Sequence, residues 1–150
     1  MSLSRLLVVG ATVLGLMSCS RSPHLFDAVP LPKPTELSCD LMAVHDGALN
    51  PTYVRGKRGS VLKLTITNLD ENQHRAQIVG NNGNAEVQFH TLPGQMLFLE
   101  RTPTGNPTLL SVFAPPQAGA PLPAAYSRHI LISPANIAIS QYAGSCEQRS

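Results

Sequence analysis

Residues 61–69 read Val-Leu-Lys-Leu-Thr-Ile-Thr-Asn-Leu, with an apolar side chain at nearly every second position. Leu62, Leu64 and Ile66 face one way and Lys63, Thr65 and Thr67 the other, the period of a strand buried on one face and wet on the other. Such a strand needs partners on both edges and a second apolar surface over its buried face. The flanking sequence supplies candidates at short intervals. In residues 41–45, Leu41, Ala43 and His45 share one side and Met42 and Val44 the other, ending at Asp46-Gly47. A short strand is expected over 52–55, then the charged turn Gly56-Lys57-Arg58-Gly59.

The pattern continues downstream. A short apolar run covers 76–79, and residues 80–84 form a Gly/Asn turn. Ala85, Val87 and Phe89 then alternate with Glu86, Gln88 and His90. Pro93-Gly94 turns the chain into 95–101, where Leu97 and Leu99 share a face. Residues 103–107 are another turn, 109–114 a strand, and 115–125 a loop heavy in Pro, Ala and Gly. The last two strands are expected at 128–133 and 136–142, split at Pro134. No stretch after the N-terminus has helical periodicity and no repeat is visible. Many short strands between turn signals indicate an all-β sandwich or a small Greek-key barrel.

The N-terminus reads as an export signal: Arg5 precedes the apolar run 6–16, which is too short to cross a bilayer as a helix. The run ends in Leu16-Met17-Ser18-Cys19, which resembles the lipobox of bacterial lipoproteins. That resemblance implies removal of residues 1–18 and acylation of Cys19 by chains such as palmitate, holding the protein to a membrane surface without spanning it. The competing reading is an ordinary cleaved signal with an incidental cysteine. Ser20 stands where an inner-membrane retention signal would show Asp, so by analogy the address is the outer membrane, facing the periplasm. Residues 19–38 carry Pro23, Pro30, Pro32 and Pro34 and read as a stiff tether, leaving one domain at 39–150.

Eleven basic and nine acidic residues give a formal net charge of +2, which provides no general attraction for nucleic acid. With Cys19 assigned to lipid, Cys39 and Cys146 remain at the two ends of the domain. In an oxidising envelope compartment they are most simply a disulfide; the rival is a pair of thiols that ligate metal.

A family resemblance ties several of these elements together. Asn50-Pro51, Gly59-Ser60-Val61, Thr65-Ile66-Thr67-Asn68-Leu69-Asp70, His74, Leu92-Pro93-Gly94-Gln95 and Leu110-Ser111-Val112-Phe113-Ala114 occur in the order of a cupredoxin domain. The resemblance covers about 41–133 and implies a cupredoxin-like Greek-key β-sandwich, with His74 at the first copper-ligand position. Ala114 stands where the family's cysteine ligand belongs, and the loop 115–121 holds neither His nor Met. Without that thiolate a blue-copper site cannot form.

Copper held another way would draw on His45, His74, His90 and His129, with Met42 and Met96. His74 and His129 are the leading pair, because the second follows the loop from which ligands are missing. His90 alternates with Glu86 and Gln88 on a solvated face, and His45 ends a strand before Asp46-Gly47. No zinc motif, P-loop, dinucleotide fingerprint or nucleophile elbow occurs. Arg55, Lys57, Arg58 and Lys63 read as a solvated turn, the alternative being contact with lipid headgroups or an acidic partner. The expectation is an envelope lipoprotein, not an enzyme and needing no cofactor. Its sandwich would bind or assemble with an envelope protein partner while Cys19 sits in membrane lipid. The alternative is periplasmic copper binding or delivery through His and Met ligands.

Overall fold

In a computed structural model, residues 29–49, 60–81, 83–102, 104–133 and 136–149 are described. Every regular element among them is a strand. These are β1 (Glu36–Leu49), β2 (Val61–Asp70), β3 (Arg75–Gly80), β4 (Gly83–Leu92), β5 (Gln95–Arg101), β6 (Pro107–Phe113), β7 (Leu122–Ser133) and β8 (Asn136–Arg149). Each pairs antiparallel with its neighbour in sequence, and β8 pairs back onto β1 to close a barrel.

The expected cupredoxin-like Greek-key sandwich is therefore corrected to a closed up-and-down barrel. The physical reason lies in the connections. Two residues separate β3 from β4, and Pro93-Gly94, with Gly94 at φ 75°, separates β4 from β5. Links this short make adjacent strands hairpin partners, whereas a Greek key needs a longer return to a non-neighbour. The remaining edges meet in a long seam, from Glu36↔Arg149 to Leu49↔Ile137, so no open sheet remains. β8 continues to Arg149, well past the expected end at 142. β7 likewise starts six residues before the expected 128, because Leu122 and Ala124 already alternate inward. The break expected at Asp46-Gly47 is a register shift between Ala43 and His45, and β1 runs on to Leu49.

The alternation expected from sequence sets the inside of the barrel. Leu41, Leu64, Ile66, Val87 and Phe89 are buried, while Met42 and Val44 are 63% and 67% exposed. On β5 the buried residues are Met96 and Phe98, so the face shared by Leu97 and Leu99 is the outer one. Phe89 and Phe98 stack with centroids 5.0 Å apart, filling the interior with Leu110, Val112 and Leu122. The outer wall of β2–β4 carries ion pairs, Lys63 with Asp40 at 3.4 Å and Arg75 with Glu86 at 3.7 Å, beside exposed Val61, Val79 and Leu92. A barrel that spans lipid has the reverse arrangement.

Cys39 and Cys146 are disulfide-bonded across the seam. Two positions further along the seam Gly144 faces Leu41. A Cβ at Gly144 would strike the Asp40 carbonyl oxygen and lie 3.0 Å from the Leu41 Cα, so the two backbones approach too closely for a side chain.

Alternating strand direction gives the barrel two distinct ends. The lower end holds the start of β1, the turn at 71–74, Pro93-Gly94 and the loop at 114–121. The upper end holds the start of β2, the β3–β4 turn and the link from β5 to β6. The chain enters at the lower end, where Leu31 packs against the core and Lys33 Nζ lies 3.6 Å from Glu71. The segment expected as a tether to residue 38 thus joins the barrel at Glu36, and its last turns lie on the barrel floor.

Candidate functional site

The upper mouth gathers polar side chains that the sequence did not mark. β5, β6 and β7 lie side by side, and the register Glu100↔Thr108↔Arg128 puts three polar residues in one row across them. The row lies on the inner face, since Thr108 is 3% exposed and alternates with buried Leu110 and Val112. Tyr126 precedes Arg128 on the same face of β7 and meets Tyr142 of β8 edge to face, centroids 5.8 Å apart. Glu100, Thr108, Tyr126 and Arg128, with Leu62, Leu64, Ile78 and the polar Asn81 and Asn84, line a cavity of about 220 Å³ beneath the β3–β4 turn.

The electrostatics of the mouth follow from its burial. Desolvation raises the Tyr126 phenol above its ordinary value; the Arg128 guanidinium and the Thr108 hydroxyl act against the rise, and Glu100 and Tyr142 add to it. Thr108 Oγ1 lies close enough to that phenol to lower it but is poorly aligned for a hydrogen bond, Arg128 Nε meets no protein partner, and both atoms are buried. Glu100 and Arg128 form no ion pair with each other among the described residues, where the ion pairs are Lys33–Glu71, Lys63–Asp40 and Arg75–Glu86. Buried donors left open by the fold are expensive, and two such atoms lie beside this cavity. The sequence signal was present but faint: Leu122, Ala124, Tyr126 and Arg128 form one period-2 face that becomes polar towards its end.

The expected metal residues are distributed differently. His74 lies in the lower turn before β3. His129 lies four strands away on β7, beyond the last residue that pairs with β6 and towards the upper end. The two imidazoles thus sit at opposite ends and on opposite sides of the barrel. His129 is exposed, with Nε2 3.2 Å from Ser127 Oγ.

His74 has a different companion. Its ring stacks on that of His90, centroids 5.0 Å apart and planes 29° from parallel. Regular alternation from outward Arg75 would turn residue 74 inward, but His74 adopts φ 55° while its carbonyl accepts from Phe89 N at 2.8 Å. That left-handed conformation, unfavourable for a residue with a Cβ, brings its ring beside His90 on the outer wall. Asp70 steadies the turn by accepting from the Asn72 and Gln73 amides at 2.9 and 3.0 Å. The pair borders an outer groove of about 520 Å³ with Arg75, Glu86 and Arg101. No group of three or more His, Cys, Asp or Glu suited to a metal ion occurs among the described residues. Cys19 lies outside the described residues, as do the side chain of His45 and the cations Arg55, Lys57 and Arg58.

Fold and site together define a class: a closed eight-stranded antiparallel barrel, apolar inside, with a polar row at one mouth. In comparisons with protein-family models, curated proteins and solved structures, nothing matches the chain.

Proposed function

We propose that the protein is a lipid-anchored, non-enzymatic binding module of the bacterial envelope, held to a membrane through Cys19 and taking its ligand in the upper mouth of the barrel. The observation that carries this reading is the buried, unpartnered pair Thr108 Oγ1 and Arg128 Nε over the apolar wall of Leu62, Leu64 and Ile78. Small-molecule sites combine an apolar cavity with a few convergent polar groups, and barrels of eight strands have room for one small ligand. The direction of the chain supports the geometry. Its N-terminal lead enters at the lower end, opposite the mouth.

The test is an amide-resolved NMR titration of the mature chain, with Cys19 replaced by Ser, against small alcohols, carboxylates, amines and amino acids. The reading requires saturable shifts at Glu100, Thr108, Tyr126 and Arg128 with at least one class. Shifts with none of them would remove it.

A second reading, copper capture, is favoured by one observation, the stacked His74–His90 pair. Imidazole suits copper, and two rings on one wall offer an open, exchangeable site rather than an electron-transfer centre.

A further inference from the structure

We infer that the occupant of the upper mouth is a small zwitterion, an amino acid with an aliphatic side chain; this rests on the mouth being the binding site. The row Glu100↔Thr108↔Arg128 sets a carboxylate and a guanidinium on either side of one buried hydroxyl. They sit two strand spacings apart, about 10 Å between Cα atoms, and do not pair with each other. Both are half-buried beside the cavity, and a ligand carrying both signs pairs with both at once.

An anion alone would answer Arg128 and face the Glu100 carboxylate; a cation alone would do the reverse. A zwitterion gives its ammonium to Glu100, its carboxylate to Arg128 and an acceptor oxygen to the Thr108 hydroxyl, whose neighbour in the fold, the Tyr126 phenol, is poorly aligned for it. The apolar requirement comes from Leu62, Leu64 and Ile78, which face the charged row, while the polar Asn81 and Asn84 line the rim beside them. Size narrows the class further. A cavity of about 220 Å³ lies below the usual range for drug-sized ligands and suits one amino acid rather than a peptide.

The experiment compares L-leucine with isocaproate, which lacks the amine, and isoamylamine, which lacks the carboxylate, by NMR titration of the mature chain with Cys19 replaced by Ser. L-leucine is expected to bind at least about tenfold more tightly than either analogue, the scale of one lost charge-assisted hydrogen bond. Glu100→Gln should erase its advantage over isocaproate, and Arg128→Gln its advantage over isoamylamine, with the variants' retained barrel checked from their amide spectra. Equal binding of either analogue, at the same mouth residues, overturns the zwitterion and leaves the binding site standing. Silence from all three compounds overturns the zwitterion, and silence across the wider set of classes overturns the binding site too.

Discussion

Cys39 and Cys146 stand directly opposite each other across the seam between β1 and β8, their Cα atoms 3.9 Å apart and their positions 107 residues apart in sequence. The disulfide therefore fastens the one junction of the barrel that no turn holds together. In the chain-entropy account, closing a loop of this length stabilises by about 4–5 kcal/mol. A Cys39→Ser, Cys146→Ser double variant is expected to lose stability on that scale in urea unfolding. An unchanged midpoint would mean the seam closes unaided.

Gly144 tests the same seam from its backbone. Gly144→Ala puts a methyl group against the Asp40 carbonyl and should cost about 1–3 kcal/mol, as overpacking does. Gly80→Ala is the matched control. Its Cβ would meet the mobile end of Leu64 at 3.1 Å, which can shift, so its cost should be smaller. Denaturant midpoints of the two variants give the comparison, and equal losses would argue against a close approach of β1 to β8.

The phenol of Tyr126 gives a pH signature. Burial raises it above the ordinary value of 10.0, so the folded state keeps a proton that the unfolded state releases first. Below pH 10 the two states are alike at this group. Stability should then fall as pH climbs from about 10 towards the folded-state value. Thermal unfolding of Tyr126→Phe should show a shallower decline over that window, and tyrosinate absorbance should show one phenol ionising late.

Copper discriminates the two histidine arrangements. If the stacked pair captures cupric ion, His74→Ala and His90→Ala should each weaken binding about tenfold or more, and His129→Ala should leave it unchanged. Calorimetric titration of the four proteins decides it. Loss only on His129→Ala would contradict the arrangement seen here.

Much of the interior was legible in the sequence. The alternations at Leu62, Leu64 and Ile66 and at Ala85, Val87 and Phe89 name inward residues directly, because a half-buried strand repeats every two residues. Closure was not legible. It depends on residues 143–149 pairing with β1, and Ala-Gly-Ser-Cys-Glu-Gln-Arg has no apolar alternation to announce a strand. The cupredoxin-like order of strands misled for a related reason, since strand order along the chain does not fix which strands become neighbours. At the site, His74 was singled out by its place after Thr-Asn-Leu-Asp, but its companion is set by register: Arg75↔Gln88 brings His90 near, while His129 lies across the barrel. Glu100, Thr108 and Arg128 sit on three separate strands, and only their lateral pairing makes them a row.

Thr108→Val tests the central claim, that the fold leaves the polar groups of the mouth open for a ligand. If the Thr108 hydroxyl has no partner within the barrel, replacing it with a methyl group removes a buried unsatisfied donor and should raise stability by about 1–3 kcal/mol in urea unfolding, while weakening ligand binding at the mouth. A variant less stable than the parent would show the hydroxyl already satisfied within the fold and would contradict the account.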